Sequence, residues 1–223
     1  MVGLIGKSLL AGGSFAIGFA SFARAWPEYP DPTKDKRALT GQRADILESL
    51  KSNPQFTKLM GNADFVSDVH SSRIPKPHQN LMVSQGLLFG PNHLEIDPIV
   101  FINRKDNELQ SFYHLGKDLT SYDGVIHNGV LSTIIDESLT FCGFPLLPSK
   151  RGVTAKLAVN FIEHVEPDST IILKAKVKEH KGRKVVIEGF IETLDPSPVK
   201  VATAECILVE PKWFKYFSWL QLF

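Results

Sequence analysis

The sequence predicts an α+β protein in which a long, curved antiparallel sheet wraps around one central helix. Two observations support this class. Residues 153–209 contain four strand candidates of about ten residues each, longer than the usual five or six. Residues 129–143 form a helix candidate that is apolar around most of its circumference, and such a helix belongs in a core. Long strands that meet one buried helix favour a sheet that curves around it.

The composition indicates an ordinary globular chain. It has 223 residues with 43% hydrophobic residues and a net charge of +1, enough for one domain with an appendage. The neutral balance excludes a nucleic-acid footprint. The seven histidines form no pair at metal-ligand spacing, so we expect no metal site, and we expect no cofactor. Cys142 and Cys206 lie in apolar runs, which predicts buried free thiols.

The N-terminal residues 1–25 are predicted to be a membrane anchor. They are apolar or small apart from Lys7 and Arg24, and a lysine near one end of a transmembrane helix can extend to the interface. Two alternatives remain open. Ala23-Arg24-Ala25 has the form of a signal-peptidase site, which indicates a cleaved secretory signal, and a mitochondrial presequence is the third interpretation.

Residues 26–80 are predicted to be a linker and helical arm. Three prolines between positions 27 and 32 stop any helix. Helical spacing then predicts a helix over residues 40–51 with Thr40 as its N-cap, and a short helix over 55–60. Residues 62–80 have no clear period and are expected to be irregular. Three basic residues there are candidates to contact an anion, although solvation is the alternative: Arg73, Lys76 and His78.

Residues 81–211 are predicted to be the globular domain. The strand candidates are residues 86–89, 96–102, 108–115, 153–161, 173–178, 184–193 and 199–209. The helix candidate 129–143 lies between the third and fourth of these. The tail, residues 212–223, is rich in aromatic side chains, which should not be left in water. It is expected to pack on the domain or on a second copy, or to enter a membrane interface.

Asp136 is the principal candidate for chemistry. A carboxylate on a buried helix is costly unless it is paired or solvated. The residues that share its side of the helix are all small or polar, which predicts a narrow polar cleft along one face. They are Gly129, Ser132, Thr133, Thr140 and Gly143. The alternative is structural, with Asp136 accepting hydrogen bonds from these hydroxyls. Glu137 points about 100° away and is not expected to face this cleft.

The start of the helix supplies a second candidate feature. Free N–H groups and the positive end of the helix dipole stabilise a developing negative oxygen. Gly129 would let a substrate approach the backbone, and His127 precedes the helix. Together with Asp136 this arrangement suits acyl transfer, in which helix N–H groups polarise a carbonyl while the carboxylate activates water.

These motifs resemble those of a known family. His127-Asn128-Gly129, followed by Asp136 and then by residues 153–161 (VTAKLAVNF), is similar to the hotdog-fold thioesterases of the PaaI-like superfamily, in particular mitochondrial acyl-CoA thioesterases and fungal mitochondrial membrane proteins. The resemblance covers residues 81–211. It implies that the Asn128 N–H binds the thioester carbonyl, that Asp136 is base or nucleophile, and that Thr154 assists from the dimer partner.

The resemblance also implies the partners and location. It implies acyl-CoA as substrate, a homodimer or dimer of dimers, and a mitochondrial membrane protein with a single span. The family has glycine where this chain has Asn128, which puts efficiency in doubt more than reaction type, because a backbone N–H survives the change. The alternative function is a non-catalytic acyl-CoA or lipid-binding hotdog protein. A hydratase function is not indicated, because this sequence has no second His or Glu at a distinctive spacing from His127.

Overall fold

The computed structural model describes residues 4–24, 42–74, 79 and 82–214. The helices are α1 (Leu4–Arg24), α2 (Ala44–Ser52), α3 (Pro54–Met60) and α4 (Asn128–Gly143). The strands are β1 (Val66–Val69), β2 (Ile99–Asn103), β3 (Glu108–Leu115), β4 (Val153–Phe161), β5 (Ser169–Lys181), β6 (Lys184–Thr193) and β7 (Lys200–Val209). Short 3₁₀ helices are found at His70–Arg73, Lys117–Leu119 and Phe144–Leu146, and a π-helical turn at Val83–Leu87.

The strands form one antiparallel sheet in the order β1-β2-β3-β5-β6-β7-β4. β4 follows α4 in the chain but pairs with the last strand, so it forms one edge of the sheet. Helix α4 packs against β3, β4, β5, β6 and β7. This is the hotdog arrangement that the sequence predicts, a long antiparallel sheet around one central helix.

The main core lies between α4 and the concave face of the sheet. Ile134 and Leu139 are fully buried there, together with inward-facing residues such as Leu173 and Ile187. Gly189 on β6 lets helix and sheet approach closely, because a Cβ at that position would lie 2.9 Å from Leu139 Cδ1. The predicted apolar helix is therefore buried, with the alternating strand residues packed around it.

A second core covers the opposite face of the sheet. Successive side chains of a strand point to opposite faces of the sheet. Tyr113 therefore belongs to the main core, and its neighbour Phe112 belongs to the second core on the other face. Helices α2 and α3 pack on this side, and the Phe56 ring lies 5.3 Å from the rings of Phe101 and Phe112. The two helices predicted in the arm are thus confirmed, and they add a third layer over β2, β3 and β5.

The arm also differs from its prediction. The region expected to be irregular contains β1, which pairs with β2, and the 3₁₀ helix that follows. All four residues of β1 are exposed, so no alternating pattern marks this edge strand.

In the globular domain, the predicted strand over residues 86–89 is wrong. Residues 83–87 form the π-helical turn, which buries Ser84 and Gln85. The predicted cap Thr40 lies outside the described residues, and Arg43 precedes α2 instead.

The N-terminal segment is helical, as predicted for the anchor, but its role as a membrane span is not supported. Among the residues that the structure describes, no helix is both long enough and apolar enough to cross a membrane. In α1 the apolar residues are diluted by small or polar ones, among them Ser8, Gly12, Gly13 and Ser14. In the tail, Phe214 is buried and Trp213 is exposed, and residues 215–223 lie outside the described part.

Candidate active site

The first turn of α4 forms one end of the candidate site. The helix begins at Asn128, one residue before its predicted start, and His127 is its N-cap in extended conformation. The Nδ1 atom of His127 accepts the Gly129 N–H at 2.8 Å. Within the described part of the chain, the backbone N–H of Asn128 donates no hydrogen bond. That N–H is therefore a free donor at the positive end of the helix dipole.

The absence of a side chain at Gly129 is explained by a contact within the helix start. A Cβ at this position would lie 2.8 Å from Nδ1 of the His127 ring, closer than real Cβ contacts allow. The glycine therefore makes room for the ring that caps the helix. The role of Gly129 as a point of close substrate approach stays a prediction, and the contact with the His127 ring is a second reason for glycine at this position.

Asp136 lies two turns further along the helix and is partly exposed. The hydroxyl of Thr154 donates to its Oδ1 atom at 2.8 Å. Partial burial raises the pKa of Asp136 above the ordinary value, the Thr154 hydrogen bond acts in the opposite direction, and the negative charge of Glu137 adds to the rise. A carboxylate held this way is a stronger base than one in water, which suits proton abstraction.

The other polar residues of the predicted stripe do not bind Asp136. The hydroxyls of Ser132, Thr133 and Thr140 donate to backbone carbonyls within α4, each at 2.9 Å. The hydrogen bonds predicted from these hydroxyls to Asp136 are therefore wrong, and Thr154 donates to its carboxylate instead. Ser132 and Thr133 are partly exposed, but Thr140 is buried, so the open part of the stripe ends at Asp136.

A β-bulge turns Thr154 towards the helix. Strict alternation along β4 would place Thr154 with Lys156 on the outer face, opposite the apolar residues. The register with β7 shifts at this point, because Thr154 pairs with Leu208 and Lys156 with the next residue, Ile207. Ala155 is the extra residue, and the bulge puts Thr154 on the same face as its buried partner Leu208. The same chain therefore supplies both Thr154 and Asp136, whereas the family resemblance implied Thr154 from a partner.

Glu137 is buried on a different side of α4. Its carboxylate accepts hydrogen bonds from the backbone N–H and, over a short distance, from the hydroxyl of Ser84, in the π-helical turn. The Nε2 atom of His70, in the 3₁₀ helix of the arm, lies 3.3 Å from the same carboxylate. His70 packs edge-on against Phe141 with ring centroids 4.9 Å apart. Glu137 thus fastens the arm to the central helix, which no spacing in the sequence indicated.

The two cysteines are free and buried, as predicted. Cys206 lies on β7 near Thr154 and Asp136. Burial raises the pKa of its thiol to about 11, the Asp136 charge also raises it, and a hydrogen bond with Thr154 lowers it. The thiol is therefore protonated at neutral pH, and it is a poor nucleophile in this environment.

One cluster of potential metal ligands lies away from this site. Ligand atoms of Glu95, His114 and Asp168 lie within 4.8 Å of one another, although no spacing in the sequence indicated it. Each has a protein partner: Arg43 donates to Glu95 at 3.1 Å, and the Nε2 atom of His114 lies 3.2 Å from Asp168. The guanidinium of Arg43 is the cation beside Glu95, and the ammonium group of Lys117 lies 3.4 Å from Asp168. Burial lowers the pKa of His114, so its ring contributes hydrogen bonding rather than charge.

The predicted site residues therefore form two groups. His127, Asn128 and Gly129 form the helix start, while Asp136 and Thr154 form a hydrogen-bonded pair. Asn128 and Asp136 are eight residues apart in one helix, which corresponds to about 12 Å along the axis of a regular helix. A carbonyl oxygen bound by the free N–H would therefore lie far from the carboxylate of the same chain.

Comparison with known proteins identifies the class. The model of the thioesterase superfamily matches residues 123–200, which include α4, Asp136 and Thr154. An uncharacterized mitochondrial protein of Candida albicans is 48% identical over 94% of each chain. MIOREX complex component 3 of Saccharomyces cerevisiae is 42% identical, over 96% of this chain and 94% of its own. Acyl-coenzyme A thioesterase THEM4 of rat is 24% identical over 82% and 80%.

The chain is a hotdog-fold protein of the thioesterase superfamily. Within that superfamily it belongs with the fungal mitochondrial proteins, which match it over nearly their full length. These relatives support a mitochondrial location.

Proposed function

We propose that this protein hydrolyses acyl-CoA thioesters to a free acid and CoA. The observation that carries the proposal is the partly exposed Asp136 carboxylate, hydrogen-bonded by Thr154 and with a raised pKa. Asp136 takes a proton from the attacking water, whose oxygen forms a bond to the thioester carbon. The carbon–sulfur bond breaks, and the protonated Asp136 returns that proton to the leaving sulfur, so that CoA leaves as the thiol. Attack by Asp136 itself on the carbon is the nucleophilic form of the same assignment.

The start of α4 supplies the electrostatic half of this mechanism. The free N–H of Asn128 and the positive end of the helix dipole stabilise the negative charge that develops on the carbonyl oxygen. The relationship to acyl-coenzyme A thioesterases, at 24% identity, supports the choice of an acyl-CoA substrate.

The separation of about 12 Å along the helix supports a site made from two chains. In this proposal, Asp136 of one protomer and Asn128 of its partner meet at one thioester, so the active form is a homodimer or a dimer of dimers. The outer edge of β4 is the surface proposed for this pairing. β4 lies at the end of the sheet in the described part of the chain, and Val153 at its start is 47% exposed.

A panel of acyl-CoA substrates of increasing chain length tests the reaction. We expect turnover by the full-length wild type, and a loss of at least about 100-fold in Asp136→Asn, which remains folded by thermal denaturation. Equal turnover by wild type and Asp136→Asn would show that Asp136 is not the base.

Mixing two inactive variants tests the two-chain site. Asn128→Pro lacks the N–H, and Asp136→Asn lacks the base. If each site takes one group from each protomer, random mixed dimers contain one intact site, and mixing restores about a quarter of wild-type activity. No recovery on mixing would place both groups in the same chain, provided that the two purified variants exchange subunits.

The second candidate is an acyl-CoA-binding protein without turnover. The Asn128 side chain, where the family has glycine, favours it because that side chain lies at the proposed carbonyl-binding corner. Saturable acyl-CoA binding by the wild type, with no turnover at any chain length, would establish this alternative.

A further inference from the structure

A separate cavity lies near the C-terminal end of α4. It has a volume of about 470 Å³, within the range of roughly 300–1,000 Å³ of small-molecule sites. One wall is apolar and includes Ile102, Phe141, Phe144 and Leu146. Cys142, which also lines it, is six residues beyond Asp136, a distance of about 9 Å along the helix. Asp136 and Thr154 do not line this cavity.

Three cationic side chains line the same cavity: Arg73, Arg104 and Lys150. Within the described residues, none of them forms an ion pair. The cavity also contains Glu108, but its carboxylate accepts a hydrogen bond from Lys176 at 2.7 Å. The side chains that line the cavity therefore carry more positive than negative charge, with three cations and one carboxylate.

Arg73 is the most informative of the three cations. Its Nε atom is buried without a hydrogen-bond partner, and its guanidinium lies 5.8 Å from the centre of the Phe141 ring. Burial lowers the pKa of Arg73, the negative charge of Asp68 acts in the opposite direction, and the positive charge of Arg104 lowers it further. Buried donors are normally satisfied, so an anion that accepts from Arg73 would remove both the unmade hydrogen bond and the repulsion.

We infer that this cavity binds an amphipathic anion, with a carboxylate or phosphate head group on the three cations and an alkyl chain on the apolar wall. Guanidinium groups suit both head groups, since their donors match the geometry of carboxylate and phosphate oxygens. The aromatic and aliphatic wall suits the chain. The inference does not rest on the proposed hydrolysis, because no residue of the proposed active site lines the cavity.

Isothermal titration calorimetry with the full-length protein tests the site, with dodecanoate, dodecyl phosphate and the neutral dodecanol as probes below micelle-forming concentrations. We expect saturable binding of at least one anion, about tenfold tighter than dodecanol. The tighter of the two anions identifies the head group. Equal binding of dodecanol and both anions, or no binding of any probe, would overturn the inference.

Two neighbouring residues provide a matched pair of variants. Arg104 lines the cavity and Lys105 does not, and both are exposed. Arg104→Gln should weaken anion binding about tenfold, and Lys105→Gln, with the same change in net charge, should weaken it less than twofold. Equal effects would mean that the anion responds only to overall charge.

Asp136→Asn separates this site from the active site. Its affinity for dodecanoate should match that of the wild type, because Asp136 is not part of the cavity. A change of more than about threefold would place the bound chain at the active site instead and overturn the inference. Loss of acyl-CoA turnover in the same variant would leave the inference intact, so the two proposals fail independently.

Discussion

Two pairs of neighbouring residues in α4 have opposite surroundings. The N–H of Asn128 is free, while that of Gly129 is bound by His127. Asp136 is partly exposed with one hydroxyl partner, while Glu137 is buried against the arm and accepts from Ser84. One side of the helix start and middle is therefore available to a substrate, and the adjacent positions are satisfied inside the protein.

This difference follows from helix geometry. Consecutive residues of a helix point about 100° apart around its axis. This angle is enough for Asp136 to lie on the partly exposed side of α4 and for Glu137 to be buried near His70 and Ser84. Partly exposed and buried polar groups can therefore be sequence neighbours in one helix. Removal of the Asn128 N–H or of the Asp136 carboxylate should lower activity with little effect on stability, and removal of the Glu137 carboxylate should lower stability with little effect on activity.

The largest expected effect on activity is at Asn128. Asn128→Pro should lower kcat/KM for an acyl-CoA about 100-fold, the usual cost of losing one oxyanion donor. The melting temperature should change little, because proline suits the first helical position and His127 is already extended with φ −67° and ψ 128°. Activity assays with thermal denaturation provide the measurement.

Asn128→Gly and Asn128→Ala are the controls for this prediction, since both retain the N–H. Both should keep activity within a few-fold of wild type. Full activity in the proline variant would exclude the Asn128 N–H as the carbonyl donor.

Glu137 provides the contrasting prediction on stability. Glu137→Ala leaves the Ser84 donors buried without an acceptor, which should lower the free energy of unfolding by about 1–3 kcal/mol, measured by chemical denaturation. Glu137→Gln keeps an acceptor for Ser84 and should lose less. The folded fraction of both variants should retain activity within a few-fold.

Asp136→Asn is the control variant at the adjacent position. The pKa of Asp136 is raised in the folded protein, so its ionisation costs stability above that pKa, and removing the charge should not lower stability at neutral pH. Loss of activity at unchanged stability in Glu137→Gln would place Glu137 in the active site and contradict the comparison.

Substitution of Thr154 should change the pH dependence of activity. Its hydroxyl stabilises the Asp136 carboxylate and so lowers the pKa. In Thr154→Val that stabilisation is lost, the pKa of Asp136 rises, and the base form disappears at a higher pH. The acid limb of the kcat/KM profile should therefore move to higher pH, with about a five- to tenfold loss of activity on that limb.

Thr154→Ser retains the donor and should keep the wild-type profile. An acid limb that stays in place in Thr154→Val, with kcat/KM unchanged, would mean that the Thr154–Asp136 hydrogen bond does not act in the reaction.

Gly129 carries the smallest expected effect. Gly129→Ala should displace the His127 ring and lose a cap of about 1 kcal/mol, while alanine favours the helix by a similar amount. The net change in the free energy of unfolding should be below about 1 kcal/mol, with activity within twofold. A large loss of activity at unchanged stability would support Gly129 as a point of close substrate approach.

Much of the fold followed from local patterns. The apolar helix at residues 129–143 and the strands over residues 153–161, 184–193 and 199–209 were predicted with nearly the observed bounds, because a buried helix and a half-buried strand leave their periods in the sequence. The strand predicted over residues 173–178 extends further at both ends, over Ser169–Lys181. The weak elements were missed because they leave no such period. β1 is exposed on every residue, and the turn over residues 83–87 owes its place to the contact of Ser84 with Glu137, a residue more than 50 positions away.

The sequence by itself determined the class of the protein and the partial exposure of Asp136 beside the buried Glu137, since both depend on periodicity within single elements. Only the tertiary structure decided that Thr154 reaches Asp136, because an extra residue in one strand changes the face of a side chain and is visible only in the register with its partner strand. It also placed Asn128 and Asp136 in one continuous helix, about 12 Å apart along its axis. The length of a rigid helix sets that distance, and it leads from a motif in one chain to a proposed site between two.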